Sequence, residues 1–405
     1  MNKLAKTTLL GAATLAFSAL AVHASNNDAL LDLLVKKGVL SNSEAAAVQA
    51  ELATQKAPLA VKAKGKETVE LRFNGRMHFQ YDSLDAEHNG DDLASTNHFY
   101  FRRLRLGAKA KHTNGLFAET VVDFAGNDLS VDKAVAGYKF SDALTGSFGY
   151  QKVPFGFQET TSSSKIKTIE RSAANRFFAD DIDFAGRHTG LHAKGSLGNG
   201  FSYAAAVVNA AQGEGSKLLG ASNADNDMAA FGRLQWKQDD LTLGLDAGHQ
   251  ANNSVKSFSD GKLDPSKPRF DVSAYTAYVN YDFDNFDILG EYFNGDLGDK
   301  GDVDGYSVRV AYAMDKFEPV FRYSHLDSDG FYIDTDELIR RAPDTKPNKD
   351  FGSAGELDSY YFGVNYYHNK AVSLMLGYEI AEADNAAGND MAEIEGFRSR
   401  VQILW

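Results

Sequence analysis

Residues 67–82 carry the sequence ETVELRFNGRMHFQYD, in which apolar and polar side chains alternate. One row consists of Val69, Leu71, Phe73, Gly75, Met77, Phe79 and Tyr81. The other row consists of Glu70, Arg72, Asn74, Arg76, His78 and Gln80. Strict period two over about a dozen residues predicts a β-strand with one apolar and one polar face, longer than the five or six residues usual in soluble proteins.

The same alternation recurs through the rest of the chain and predicts sixteen strands. We place them near residues 67–82, 97–112, 115–126, 130–141, 144–153, 185–197, 200–210, 227–238, 240–251, 269–282, 285–295, 303–314, 316–327, 357–368, 370–381 and 394–405. Spans of about ten residues suit tilted transmembrane strands, and an even number of strands closes an antiparallel barrel without an exposed edge. The predicted fold class is therefore all-β, a 16-stranded antiparallel transmembrane β-barrel over residues 67–405.

Connections between the predicted strands fall into two classes. Short turns such as residues 113–115 and 239–240 alternate with longer polar links such as residues 211–226 and 328–356. A barrel with a short-turn end and a long-loop end shows this pattern, and we expect both ends of the barrel sequence on the periplasmic side. A soluble β-sandwich or propeller is the main alternative. Arginine-rich polar rows and aromatic residues near strand ends favour the membrane barrel.

The N-terminus predicts export. Lys3 and Lys6 form a positively charged start, followed by an apolar run at 9–21 and a small-residue cleavage site at 22–24. This order is typical of a signal peptide over residues 1–24, and the apolar run is too short to span a bilayer. We expect the mature chain to reach the outer membrane of a Gram-negative cell.

Residues 25–66 predict a short periplasmic helical or coiled-coil segment and a linker. Ser41 and Glu44 have capping-box spacing, in which each side chain satisfies a free backbone N–H group at the start of a helix. Isolated helices this short are marginal in water, so partner helices or a poorly ordered extension are the two alternatives.

The composition excludes several classes of protein. A formal net charge of −13 argues against nucleic acid as a partner, because phosphates favour basic surfaces. With no cysteine, disulfide frameworks and cysteine-based redox or metal chemistry are excluded. The ten histidines are dispersed without metal-ligand spacing, so we expect no catalytic residue, no metal site, no cofactor and no enzymatic activity.

Two stretches resemble a known family, the phosphate-selective porins O and P. The first comprises residues 149–156 (GYQKVPFG), Glu159, Ser163-Ser164-Lys165, Glu170-Arg171-Ser172 and Gly186-Arg187. The second, residues 101–107 (FRRLRLG), is similar to the family's second-strand motif. The resemblance implies a trimeric, sixteen-stranded outer-membrane porin whose third loop folds into the lumen, where basic side chains guide anions. Family members differ in substrate preference, so the resemblance does not establish phosphate.

The polar rows face the lumen if the apolar rows face lipid. On this parity the inward-pointing basic residues are Arg72, Arg76, Arg103, Arg105, Lys109, Lys111, Arg233, Lys237, Arg309, Arg322, Arg398 and Arg400. The inward-pointing acidic residues are Glu70, Glu119, Asp123, Asp246, Asp287, Glu291 and Glu379. This excess of basic residues predicts an anion pathway, for which rings of Lys and Arg are the expected device. Two alternatives remain: the charges merely hydrate a general pore, or they pair with Glu119, Asp123, Glu159 and Glu170.

Residues 154–183 are the predicted inward-folded constriction loop, because structureless links this long are usually functional. Its cations and the hydroxyl residues at 160–164 can replace the water around an oxyanion, whereas an external solvated loop is the alternative. The predicted pathway residues are Arg72, Arg76, Arg103, Arg105, Lys109, Lys111, Lys152, Ser163, Ser164, Lys165, Lys167, Arg171 and Arg176. We expect Arg103, Arg105 and Lys109 to form a ladder with steps of about 7 Å, facing Lys165 and Arg171.

The predicted function is a passive, anion-selective outer-membrane channel, with phosphate or related phosphoanions as the favoured solutes. A general diffusion porin without a strong binding site is one alternative, and a structural or adhesive barrel is another. The expected partners are outer-membrane lipid and lipopolysaccharide, small inorganic anions, and further copies of the chain in a homotrimer.

Overall fold

A computed structural model of the protein describes residues 59–62, 68–88, 91–126, 129–210, 228–253, 258–259, 262–263, 270–329, 333, 338–341, 354–385 and 390–405. The chain divides into two compact units, Met1–Leu59 and Ala60–Trp405. The predicted signal peptide and most of the predicted helical segment lie outside the described residues. Within the described part of the chain, no helix is long and apolar enough to cross a membrane.

Sixteen antiparallel strands in the described residues form one closed barrel. In chain order, β1 to β16 are Thr68–His88, Asp91–His112, Leu116–Asp123, Ser130–Lys139, Thr145–Lys152, Arg187–Gly198, Phe201–Asn209, Met228–Gln238, Leu241–Asn253, Phe270–Phe283, Phe286–Asp296, Asp302–Tyr312, Phe317–Asp329, Ala354–Tyr367, Val372–Asn385 and Asp390–Leu404. Each strand pairs with its neighbours in sequence, and β16 pairs with β1. The predicted fold class is confirmed, and each of the sixteen predicted segments coincides with one of these strands.

The seam between the first and last strands depends on a glycine. The N–H of Gly75 donates to the carbonyl of Trp405 at 2.8 Å, and the N–H of Trp405 donates back at 3.2 Å. A Cβ at position 75 would lie 2.0 Å from Cε2 of the Trp405 indole, so only glycine leaves room for that ring. Since the strand number is even, β1 begins and β16 ends at the same end of the barrel.

The two ends of the barrel carry different connections. Tight turns join β2 to β3 and β8 to β9 at the end where β1 begins. The long connections that follow β5, β7 and β13 start from the other end of the barrel, where these three strands finish. Three shorter strands, Leu59–Lys62, Phe258–Ser259 and Lys262–Leu263, lie outside the sixteen. This division is the predicted short-turn and long-loop arrangement.

Two rows of outward-facing aromatic residues ring the wall from β10 to β16. Near the long-loop end the row contains Tyr275, Tyr292, Tyr306, Tyr323, Tyr360, Tyr378 and Phe397. Near the short-turn end it contains Tyr281, Phe286, Tyr312, Phe317 and Tyr366. Aromatic girdles at both interfaces flank the lipid-facing band of outer-membrane barrels, so these rows mark the two edges of the membrane.

Side-chain exposure follows the predicted alternation on β1. The outward Phe73 is 63% exposed, whereas the inward His78 and Gln80 are fully buried. The same separation holds on β13, where Phe321 faces outward and Arg322 and Ser324 are buried inside. The apolar rows therefore face lipid and the polar rows face the interior.

Two β-bulges interrupt this alternation and bring extra charges inside. On β2 the register shifts between Phe101 and Arg103, so Arg102 and Arg103 both point inward. On β4 the register shifts between Val131 and Lys133, and the bulged Asp132 reaches inward-facing arginines. A bulge places two residues of one strand opposite a single residue of its neighbour. Counting alternate residues therefore gives the wrong face for the residues that follow it.

Residues 153–186, termed the inner loop, fold inside the barrel. The loop contains two short helices, α1 (Phe157–Thr160) and α2 (Ala173–Arg176), followed by a π-helical turn, Phe177–Asp181. Its backbone and side-chain groups contact inward-facing residues of β1, β2, β9, β11, β13 and β16, so it crosses the lumen.

The interior near the long-loop end is lined by apolar side chains, whereas the strand parity predicts a polar lumen. Phe155 and Phe178 of the inner loop pack against Phe293 of β11, with ring centroids 6.2 and 5.4 Å apart. Leu326, Leu357 and Ile394 on the inner wall are buried in the same cluster. Their inward position departs from the rule that places apolar residues against lipid, because the phenylalanines of the loop need an apolar surface to pack on.

Candidate functional site

The first turn of the inner loop is fixed to the wall by carboxylates. Asp246 on β9 accepts from the N–H of Gly156 at 2.9 Å and from Arg233 at 2.6 Å. Glu291 on β11 accepts from the N–H of Phe157 and from Nε2 of Gln158. Gly156 has φ +80°, a conformation that L side chains rarely adopt, so the chain needs glycine where it turns onto these acids.

The second half of the loop is fixed to the neighbouring strands. Lys167 pairs with Glu318 on β13 and lies 3.3 Å from Asp287 on β11. The backbone carbonyl of Lys167 accepts from Nδ2 of Asn365 on β14 at 2.8 Å. Ser172 then caps α2 by accepting from the N–H of Asn175 at 3.3 Å. The loop is thus fixed at several points on one side of the barrel.

Glu170 ties the loop to further strands of the wall. Its carboxylate accepts from Nε of Arg102 at 2.9 Å and from Nη2 of Arg400 at 3.1 Å. Burial alone would raise the pKa of Glu170, but Arg102, Arg400 and Arg103 around it hold that pKa well below its usual range. Its backbone carbonyl also accepts from Nη1 of Arg322 at 2.8 Å. Glu170 is therefore a charged link at neutral pH between the loop and strands β2, β13 and β16.

Most of the predicted pathway cations have carboxylate partners. Arg105 lies 2.6 Å from both Asp123 and Asp132, and Lys109 lies 3.8 Å from Glu119. The remaining paired members are Arg72 with Glu70, Lys152 and Arg171 with Glu159, Lys167 with Glu318, and Arg176 with Asp180. Burial opposes ionisation of Glu159, yet Arg171 and Lys152 lower its pKa below the ordinary value. The alternative of charge pairing with Glu119, Asp123 and Glu159 thus holds for these residues.

A smaller group of pathway cations has no carboxylate partner among the described residues. Arg76 donates to the hydroxyls of Ser162 and Ser163 in the inner loop. Arg103 is only 4% exposed, and its Nε and Nη1 have no hydrogen-bond partner. Lys165 is exposed beside these serines. Lys111 is likewise exposed on β2, towards the short-turn end.

The hydroxyl residues lie next to the unpaired cations. Ser162 Oγ and Ser164 Oγ are 3.1 Å apart, and the backbone carbonyl of Ser164 accepts from Nε2 of Gln402 on β16. Guanidinium and ammonium groups beside free hydroxyls can replace part of the water around an anion. The arrangement brings Arg76 and Lys165 together beside the loop serines, whereas Lys152, Arg171 and Arg176 are occupied in holding the loop in place.

Reasoning from sequence missed several charged residues inside the barrel. Arg102 and Asp132 lie in β-bulges, which period-two parity does not anticipate. Asp82 is fully buried and 3.3 Å from Arg398, at the point where β1 was expected to end. Glu318 is buried one residue into β13 and pairs with the loop. These acids pair with inward-facing cations, Asp132 with Arg105 and Arg187, Asp82 with Arg398, and Glu318 with Lys167.

The closed sixteen-stranded barrel with a loop folded into its lumen defines an outer-membrane porin. Residues 71–403 match the family described as phosphate-selective porin O and P, and the chain belongs to that family. A relative from Aquifex aeolicus (strain VF5), named only as an uncharacterized protein, is 24% identical over 419 residues, covering 88% of this chain and 90% of the relative.

Solved structures with the same fold are distant in sequence. The anion-selective porin from Comamonas acidovorans has a TM-score of 0.60 and 14% identity, covering 83% of this chain and 100% of that one. OmpT of Vibrio cholerae, described in its trimer form, has a TM-score of 0.54 and 16% identity over 83% and 99% of the two chains. The channel DcaP of Acinetobacter baumannii has a TM-score of 0.55 and 10% identity over 83% and 97%. At these identities the likeness concerns the fold.

Proposed function

We propose that the porin is a passive, anion-selective channel that favours phosphate or related phosphoanions. The observation that carries this proposal is the pair formed by Arg76 and Lys165 beside the loop serines, since neither cation has a carboxylate partner among the described residues. Lys165 is exposed beside the serines that accept from Arg76, so an anion can approach these two cations. Two further findings support phosphate, namely the family match and the serine hydroxyls beside the cations.

The inner loop acts as the constriction in this proposal. Its attachments to Asp246, Glu291 and Glu318 hold it across the lumen, and its serines stand opposite the inner face of β1. Anions would pass the exposed cations Lys165, Lys109 and Lys111, where several moderate contacts suit conduction better than one deep trap. Arg103 and Arg105 are too buried or too well paired to act as independent steps, so the conducting ladder we propose is shorter than the one inferred from strand parity.

Export and assembly complete the proposal. We infer that residues 1–24 are removed as a signal peptide and that residues 25–66 form a periplasmic helical segment. The trimer form described for OmpT of Vibrio cholerae, together with the family match, supports a homotrimer. The aromatic rows support contact with outer-membrane lipid and lipopolysaccharide. We infer that the chain is a channel and has no enzymatic activity.

The experiment that tests the proposal compares variants in planar lipid bilayers. In the Arg76→Ala/Lys165→Ala double variant, we expect the anion-over-cation permeability ratio to fall and phosphate to block the chloride current less well. Lys370→Ala, which changes an exposed lysine in the turn between β14 and β15, is the matched control and should leave both quantities unchanged. Unchanged selectivity and phosphate block in the double variant would contradict the assignment.

The pairing of most inward cations favours a second candidate, a general diffusion porin without a strong site. Phosphate titration separates the two. A saturable block of chloride current supports the anion site, whereas a conductance that follows only bulk ion mobility supports general diffusion.

A further inference from the structure

A histidine and two carboxylates meet on the outer surface of the barrel, away from the lumen. Nδ1 of His325 on β13 lies 3.0 Å from Asp358 Oδ1 and 3.7 Å from Glu356 Oε1, both on β14. One ligand atom from each residue lies within 4.8 Å of the other two. The three side chains share the outward face with Tyr306, whose ring centroid is 5.2 Å from that of His325.

The separation of the ligand atoms fits a small divalent ion. Two protein ligands bound to one tetrahedral Zn²⁺ at 2.0–2.2 Å lie about 3.4 Å apart, and the two distances from His325 fall on either side of that value. The side chains are half-buried, with exposed fractions of 18% for His325, 27% for Asp358 and 43% for Glu356. An ion between them would keep its remaining coordination positions open to the outside.

The neighbouring strands give this position a charge that one imidazole cannot balance. Asp327 lies directly opposite Glu356 in the strand register, and Glu382 lies directly opposite Asp358. Like charges directly opposite each other on neighbouring strands are destabilising. A protonated histidine carries one positive charge against these four carboxylates, whereas a divalent ion held by a neutral imidazole carries two.

A tyrosine orients one of the carboxylates. The hydroxyl of Tyr323 donates to Asp358 Oδ1 at 2.5 Å, from the position two residues before His325 on the same strand. Hydrogen bonds of this kind fix ligating carboxylates in metal sites and are worth about 10- to 100-fold in metal affinity. The donor set also selects the metal, because imidazole suits zinc, copper and nickel, whereas magnesium and calcium prefer sites made of oxygen ligands alone.

We propose that His325, Glu356 and Asp358 bind a divalent transition-metal ion of the zinc class on the outer face of the barrel, level with the aromatic row near the long-loop end. The ion would join β13 to β14 and neutralise the acidic surface around it. Spacing along the sequence does not reveal this site, because 30 residues, including the whole connection between β13 and β14, separate His325 from Glu356. The proposal concerns a surface separate from the ion path and does not rest on the proposed selectivity.

The test uses the full-length exported protein, folded in detergent and stripped with a chelator. Co²⁺ is the probe, because its visible absorption reports ligands directly, and Zn²⁺ should displace it. We expect His325→Ala and Asp358→Asn each to lower the affinity for Co²⁺, measured from this absorption, at least about tenfold. His249→Ala is the matched control, since His249 is also outward-facing and lies beside Ser273, with no carboxylate in contact among the described residues; the variant should bind Co²⁺ as the wild type does.

Two variants keep the test decisive. Asp358→Asn preserves the side-chain volume, so we expect it to fold. It therefore still tests Co²⁺ binding if His325→Ala fails to fold. Equal Co²⁺ titrations for wild type, His325→Ala and Asp358→Asn would overturn the proposal. Binding of Ca²⁺ in place of Co²⁺ by the wild type would overturn the assignment to the zinc class.

Discussion

Replacing Glu170 by glutamine would remove the negative charge that the buried arginines of the inner wall share. Glu170 is 4% exposed, and it accepts from Arg102 through two bonds of 2.9 and 3.3 Å and from Arg400 through one of 3.1 Å. Glutamine keeps the volume and one acceptor oxygen but leaves these guanidinium groups without their counter-ion. The link between the inner loop and the wall formed by β2 and β16 should weaken.

The expected size of the effect follows from the burial of the pair. Removing one partner of a buried ion pair typically costs about 3–5 kcal/mol, because the other charge stays buried and uncompensated. The loop keeps its contacts with Asp246, Glu291 and Glu318, so we take the lower value for the local opening of the loop. A change of about 3 kcal/mol corresponds to a roughly 100-fold increase in the opened population.

Hydrogen–deuterium exchange of the loop amides measures this opening directly. In Glu170→Gln, amides of α2 and the segment before it should exchange roughly 100-fold faster, whereas the amides of β13 and β14 should not change. Glu393→Gln is the control, because Glu393 is exposed on the outward face of β16. If the loop amides of Glu170→Gln exchange as slowly as those of the wild type, Glu170 does not hold the loop in place.

Two further predictions concern the seam and the response to acid. Gly75→Ala places a methyl group against the Trp405 ring, so it should lower the free energy of unfolding by about 1–3 kcal/mol and change the tryptophan fluorescence. Gly232→Ala is the control and should change neither quantity, because nothing lies within 4 Å of a Cβ at that position. The pKa values of Glu159 and Glu170 are depressed, so their stabilisation of the loop is complete above the ordinary glutamate pKa and is lost only as pH falls through the lower, folded value. The protection of the loop amides, corrected for the intrinsic pH dependence of exchange, should therefore stay constant from pH 7 to 5 and fall only below the ordinary glutamate pKa; a loss of protection beginning at pH 6 would contradict this.

The strands could be predicted because one face of the barrel wall contacts lipid and the other faces the interior. These two environments impose an alternation of apolar and polar residues along each strand. Phe73 faces lipid and His78 faces the interior over the same short stretch, and any one-residue shift would exchange them. The strand ends were less accurate: β1 extends to His88, well past residue 82, because the wall continues beyond the membrane edge. The inner loop was recognised by its length and its family resemblance.

The charge pattern of the lumen could be predicted only in part. Arg102 and Asp132 enter the lumen through β-bulges, which alter parity without a clear signal in the sequence. The partners of Lys167 lie on strands more than a hundred residues away in sequence, so no local pattern reveals that it is neutralised. A count of inward charges therefore overestimated the free cations, and only the folded positions separate Arg76 and Lys165 from the paired residues.

The reversal potential of the wild-type channel in a KCl gradient tests the central claim most directly. The proposed channel should show a potential whose sign corresponds to chloride permeating faster than potassium, and added phosphate should reduce the chloride current until it saturates. A potential of the opposite sign, or a chloride current that phosphate leaves unchanged at every concentration, would contradict an anion pathway lined by Arg76 and Lys165.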